Sequence, residues 1–152
     1  MKELRINGAT GESTLYIGER LQNLKEYLPR CRVVIITDTN VRHYYHQDFP
    51  NAEIIEIGVG EKIKNLETVR FLYKRLIELE VDRSSFIVGI GGGIVCDIAG
   101  FVASTYLRGV SFGFVSSTLL SQVDASVGGK NGVNFGGYKN MVGVFNQPEF
   151  VI

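Results

Sequence analysis

The chain has 152 residues, of which 45% are hydrophobic and 21% charged, so it is long enough to bury one core and too apolar to be disordered. Sixteen basic and sixteen acidic residues cancel, leaving no overall field to gather nucleic acid or an anionic membrane surface. The longest apolar run, Phe86 to Val95, is broken by glycines and too short to span a bilayer, and no signal-like start is present, so a soluble cytoplasmic protein is expected.

In chain order, Leu4 and Ile6 alternate with polar residues, as do Leu15 and Ile17, around Gly8-Ala9-Thr10-Gly11, the pattern of a hairpin. Leu21, Leu24 and Leu28 share one helical face before Pro29. Val33-Val34-Ile35-Ile36 reads as a buried strand that ends at the cap-forming cluster Thr37-Asp38-Thr39-Asn40. The two cysteines, Cys31 and Cys96, are distant in sequence and read as separate apolar thiols.

His43 and His46 fit one helix surface but have no further ligand at a metal spacing, and with both histidines in one short segment no Ser/His/Asp arrangement is readable. Ile54 to Ile57 is a second strand ended by Gly58 and Gly60, and Leu66, Val69, Tyr73, Leu76 and Ile77 mark a helix from about Asn65. Between them, Glu61 and Lys64 are spaced to form a local ion pair or to straddle a nucleotide; the residues alone favour the local pair.

Phe86 to Ile90 is a third strand, Gly91-Gly92-Gly93 a loop, Ile94 to Ser104 a buried helix, Phe112 to Val115 a fourth strand, and 118–126 a further helix. Phe150-Val151-Ile152 looks like a strand just starting, which suggests a fragment. Alternation of this kind predicts an α/β fold: a Rossmann-like, doubly wound, mostly parallel sheet with an N-terminal β-hairpin. Ligands of such folds lie beyond the carboxyl ends of the strands.

Past Ser84 the only charges are Asp97, Arg108, Asp124, Lys130, Lys139 and Glu149. Ions in so apolar a stretch are costly unless paired or facing a ligand, which makes them candidates for chemistry. Gly91 and Gly93 supply two of the three glycines of a dinucleotide fingerprint, with Cys96 in the third place. A pyrophosphate on the helix N-terminus and a plain tight turn both fit, and Asp38 could replace the missing ribose-binding acid. Gly128-Gly129-Lys130 is not a phosphate-binding P-loop, because Asp124 and Asn131 stand where that motif needs glycine and a hydroxyl. The stretch from Ser116 to Asn134 nevertheless converges hydroxyls, a carboxylate and an ammonium as a small-molecule pocket requires; a capped turn with a solvated lysine is the plainer account. Arg108 could grip a phosphate or pair with Asp97.

The series G-E-K-I-K, G-G-G-I-V-C-D-I-A-G-F, Y-L-R-G, S-S-T-L-L-S-Q-V-D-A-S-V-G-G-K-N-G-V-N and Y-K-N-M-V-G resembles, in order and spacing, the motifs of 3-dehydroquinate synthases, which are sugar phosphate cyclases. The resemblance implies that residues 1–152 are an NAD-binding N-terminal domain. The activity implied is conversion of 3-deoxy-D-arabino-heptulosonate 7-phosphate to 3-dehydroquinate and phosphate in the shikimate pathway, a lyase reaction of aromatic amino acid biosynthesis, with NAD regenerated in each cycle. It further implies NAD contacts from Asp38, Asn40, Glu61, Lys64, Gly92, Gly93, Ile94, Asp97, Ser117, Thr118, Leu120 and Lys139. Asp124 would sit between cofactor and substrate, Lys130 and Asn140 would hold the sugar phosphate acid, and Arg108 would reach its phosphate across a homodimer contact. A divalent zinc or cobalt ion would be held by one Glu and two His of a helical C-terminal domain outside this chain, so no turnover by the chain alone is expected. Ser116-Ser117 and Phe135-Gly136-Gly137 depart from the family's usual Pro-Thr and His-Pro, and Cys96 stands for a usual glycine. Another cyclase, a metal-dependent alcohol or glycerol dehydrogenase, and a non-catalytic nucleotide-binding module are the competing assignments.

Overall fold

The computed structural model describes residues 1–152. Strand β1 (Lys2–Gly8) folds back on β2 (Gly11–Ile17) in an antiparallel hairpin with Leu4 opposite Leu15, as the alternation predicts. The core strands β3 (Val33–Asp38), β4 (Glu53–Ile57), β5 (Phe86–Gly91) and β6 (Ser111–Ser116) are mutually parallel. Every residue of β5 is buried, as near-continuous apolar strands of a doubly covered sheet should be.

The C-terminal strand β9 (Phe150–Val151) is not a stray end. It lies parallel between β2 and β6 and completes a seven-stranded sheet in the order β1-β2-β9-β6-β5-β3-β4. Without β9 the hairpin would have no strand linking it to the rest of the sheet.

Two helices of thirteen residues, α2 (Leu66–Glu78) and α3 (Gly93–Thr105), bury Leu72, Leu76, Ile98 and Val102 against one face of this sheet. On the other face, Val41 of the short helix α1 (Thr39–Tyr45) and Leu24 pack around Ile35, Phe86, Val88 and Phe150. Helix α2 starts where Asn65 accepts a hydrogen bond from the Thr68 N–H at 2.9 Å, the usual way a short polar side chain satisfies an orphan donor. His43 of α1 and His46 at its C-cap are both exposed.

Three elements differ from the sequence reading. The helix expected to run through Leu28 is a 3-10 segment, Leu21–Glu26, whose N-cap Arg20 makes no side-chain capping bond; it buries Leu24 alone and stops early. The expected 118–126 helix is present over 119–125, but it is short and widened to i→i+5 bonding over Ser121–Ala125. Its serines explain the widening: Ser121 Oγ donates to the Thr118 carbonyl at 2.9 Å and Ser126 Oγ to the Ser121 carbonyl at 2.5 Å, competing with regular backbone bonds.

The third difference is an antiparallel hairpin, β7 (Lys130–Phe135) and β8 (Tyr138–Phe145), which packs on α3. Its glycines hide it from any alternation rule. A Cβ at Gly132 would stand 2.7 Å from the Val142 carbonyl oxygen, and one at Gly143 would stand 2.5 Å from that of Asn131, so the close pairing needs residues with no side chain.

Candidate functional site

Helix α3, the widened Ser121–Ala125 segment and the hairpin β7–β8 surround a cavity of about 370 Å³. Asp97 of α3, Asp124 of the wide turn, Lys130 at the start of β7, and Asn140 and Met141 of β8 line it. Four of the expected site residues, spread over some forty positions of sequence, therefore meet in one place. Lys130 Nζ pairs with Asp124 Oδ1 at 3.1 Å, both side chains being 60% exposed, so this pair is loose enough to open towards a ligand.

Beneath it lies a tighter pair. Lys64 is 6% exposed, and its ammonium donates to Asp97 Oδ2 and, at 2.7 Å, to Asn140 Oδ1. The sequence favoured a local Glu61–Lys64 pair; that pair is not formed, because Lys64 is carried under the hairpin while Glu61 stays outside. The alternative Arg108–Asp97 pair is not formed either. Asp97 is satisfied by Lys64, and Arg108 is exposed at the far end of α3. Burial raises the Asp97 carboxyl above its ordinary value, against the Lys64 hydrogen bond and charge that lower it.

Glu61 instead accepts a 2.8 Å bond from Asn134 Nδ2. That bond first, and then the Lys139 and Lys64 charges, hold its carboxyl below the usual range against a smaller opposing effect of burial. Asn134 was not singled out from sequence. Only its place in a polar, glycine-rich stretch marked it, because its role depends on a register irregularity in β7 between Val133 and Phe135.

The helix α3 opens at Gly92 with no side-chain cap, so its first N–H groups have no side-chain partner. Gly92 also faces Thr118, whose Cγ2 a Cβ at position 92 would meet at 3.2 Å. A flat, uncapped helix start beside a hydroxyl is suited to an oxygen-rich anion. Asp38 caps α1, accepting from the Val41 N–H at 2.8 Å, and Asn40 is exposed beside it. Ser117, Thr118 and Leu120 are exposed just past the carboxyl end of β6, Lys139 is exposed on β8, and Ile94 is half-buried.

The structure does not bring every expected residue to the cavity: of the expected set only Asp97, Asp124, Lys130 and Asn140 line it, and Asp38, Asn40 and Arg108 are among those that lie outside. Ser117 borders a second, larger cleft of about 520 Å³ between α1, Leu21 and the ends of β6 and β9. That cleft contains none of the isolated charges. No three His, Cys, Asp or Glu side chains converge anywhere in the chain, and no helix is long and apolar enough to cross a membrane.

Comparison with known proteins places the chain in a family. The sequence pattern described as 3-dehydroquinate synthase N-terminal matches residues 54–152. A 3-dehydroquinate synthase of Acetivibrio thermocellus is 48% identical over 163 aligned positions, covering 99% of this chain and 45% of the relative. Among solved structures, a 2-deoxy-scyllo-inosose synthase complexed with carbaglucose-6-phosphate, NAD+ and Co2+ superposes with a TM-score of 0.86 at 30% identity, covering 99% of this chain and 44% of that one. ValA, a 2-epi-5-epi-valiolone synthase from Streptomyces hygroscopicus subsp. jinggangensis 5008 with NAD+ and Zn2+ bound, superposes with a TM-score of 0.81 at 26% identity over 96% of this chain and 43% of that one. The chain thus spans less than half the length of each of these relatives.

Proposed function

The chain belongs to the 3-dehydroquinate synthase family, and we propose that it is the NAD-binding part of an enzyme that converts 3-deoxy-D-arabino-heptulosonate 7-phosphate to 3-dehydroquinate and phosphate. The observation that carries this reading is the cavity where Asp97, Asp124, Lys130 and Asn140 converge from four segments. An ammonium and an amide at its mouth match the carboxylate and hydroxyls of a sugar phosphate acid. The uncapped start of α3 at Gly92 to Ile94, with Thr118 opposite, fits a pyrophosphate.

In this reading Asp38 and Asn40 take the adenosine end of NAD, with Glu61, Lys64, Asp97, Ser117, Leu120 and Lys139 along its length. Bound NAD supplies a hydride acceptor and donor at the nicotinamide. The protein's part is placement and charge. Lys130 and Asn140 orient the substrate, and Asp124 shares the Lys130 ammonium until substrate displaces it. Arg108 is exposed on a left-handed backbone, with φ of 66°, and in a homodimer it would reach the substrate phosphate of the partner site.

The donor set does not fit a metal, since no three ligating side chains meet. In this reading a divalent ion would be held by a Glu and two His of a helical domain outside these 152 residues. Turnover by these 152 residues alone is therefore not expected, and steady formation of dehydroquinate by them would overturn this division of labour.

Calorimetry with NAD, ATP and AMP tests the reading directly. NAD should bind in preference to the two adenine nucleotides, and weakly, because a second domain normally adds contacts; no heat at millimolar NAD removes it. The likeness to an inosose synthase and a valiolone synthase supports a second reading in which another sugar phosphate is cyclised. Assay of the full-length enzyme against each sugar phosphate separates the two.

A further inference from the structure

Asn134 makes three hydrogen bonds, each to a different residue of the candidate site. Its Nδ2 donates to Glu61 Oε1 at 2.8 Å, its Oδ1 accepts from the Asn140 N–H at 2.9 Å, and its own N–H donates to the Lys64 carbonyl at 3.0 Å. Glu61 and Lys64 belong to the turn before α2, and Asn140 to β8, so one side chain and its amide join segments more than seventy positions apart in sequence.

Asn134 can do this because it sits at the irregularity in β7. Val133 pairs with Val142 and Phe135 with Tyr138, so three residues of β8 stand opposite Asn134 alone. An irregularity of this kind breaks the ladder and redirects a side chain out of it. On the facing strand Asn140 has φ of 51°, a left-handed conformation that asparagine tolerates better than most non-glycine residues and that a hydrogen bond to its N–H further fixes. The Asn140 N–H donates to the Asn134 side-chain Oδ1, and the Asn140 Oδ1 then accepts from the Lys64 ammonium.

We propose that Asn134 is a positioning residue of the site, which holds Asn140 in its left-handed conformation and ties the Glu61 turn to the hairpin so that Lys64 is aimed between Asp97 and Asn140. The proposal rests on the cofactor reading given above, and it adds a residue to which neither the family's motifs nor the isolated charges assign a role. The depressed Glu61 carboxyl, whose largest cause is the Asn134 bond, is consistent with it.

The side chain must both donate and accept, which separates the two obvious variants. Asn134→Ala loses both bonds. Asn134→Asp keeps an acceptor for the Asn140 N–H but sets a carboxylate against Glu61. Lowering the pH lets one of these carboxyls take a proton and donate to the other, so the Asp variant should recover in acid while the Ala variant does not.

The test measures two things in the 152-residue chain and both variants: hydrogen exchange of the Asn140 amide by NMR, and NAD affinity by calorimetry at pH 8 and pH 5. In Asn134→Ala the Asn140 amide should exchange at least about tenfold faster and NAD should bind about tenfold more weakly, the loss expected for a hydrogen bond to a charged group. In Asn134→Asp the amide should stay protected, and NAD affinity relative to the unmodified chain should rise as pH falls. Unchanged NAD affinity in Asn134→Ala, or an Asp variant with no pH recovery, overturns the positioning role while leaving the cofactor reading intact. Absence of NAD binding by the unmodified chain overturns both.

Discussion

Lys64 and Asp97 show how a single residue's role is set by its surroundings. A nearly buried ammonium paired with a half-buried carboxylate adds little net stability when complete and costs much when one partner is lost. Lys64→Met should therefore lower unfolding free energy by about 3 kcal/mol in urea titration, and adding Asp97→Leu should recover part of the loss. Larger destabilisation in the double variant would contradict this account. Acid titration separates Glu61 from Asp97. The folded-state value of Glu61 is depressed, so its contribution is complete above the ordinary carboxylate value of about 4.3 and disappears as pH falls through its own lower value. Asp97 is raised, so it favours the fold when protonated, and that advantage fades as pH rises through its raised value. Glu61→Gln should accordingly show a shallower loss of thermal midpoint than the unmodified chain between about pH 5 and pH 2. The isolation of Asp97, Asp124 and Lys130 in a charge-poor stretch was legible in the sequence, because burial of ions is costly enough to leave a compositional trace. The partner of Lys64 was not, because it lies thirty-three positions away across a packed helix and nothing local selects it over Glu61.

The elements obey the same division. Strands β3 to β6 and helix α2 follow from apolar periodicity and from the Asn65 cap. The β7–β8 hairpin and the widened Ser121–Ala125 turn do not, since glycine removes the alternation in one and serine hydroxyls redirect the backbone in the other. Packing between elements leaves a sharper test. A Cβ on Gly100 of α3 would fall 1.9 Å from Asn131 Oδ1 of β7 and 3.0 Å from Phe114 of β6. Asn131 has little room to give, because its Nδ2 bonds the carbonyls of Gly129 and Asn146 at 3.0 and 2.9 Å. Gly100→Ala should cost about 2 kcal/mol by overpacking, read as a lowered denaturant midpoint. Because Asn131 adjoins Lys130, the same change should shift the NMR resonances of the cavity's mouth. A variant as stable as the parent would show that the hairpin is freer to move than its contacts imply.

At the scale of the molecule, the last residues decide whether the sheet is one piece. Phe150 is 4% exposed and stacks on Phe86 at a centroid distance of 5.8 Å, with Tyr27 at 6.3 Å, and Val151 pairs with both Leu15 and Phe114. Phe150→Ala should cost about 3 to 4 kcal/mol and should loosen the β1–β2 hairpin first, seen as early hydrogen exchange at Leu4 and Leu15. Uniform loosening instead would mean that the hairpin does not depend on β9. The alternation of strand and helix, the cost of placing ions in an apolar stretch and the order of the short motifs were enough for the sequence alone to determine an α/β sheet, its family and the isolated charges Asp97, Asp124 and Lys130 that line one cavity. Those are local or additive properties, and they survive in a linear string. Which of those charges pair, where the last strand enters the sheet, and how Asn134 is turned to join Glu61, Lys64 and Asn140 were decided only by the tertiary structure. Each depends on two distant segments meeting in one register, and short-range physics does not carry that information.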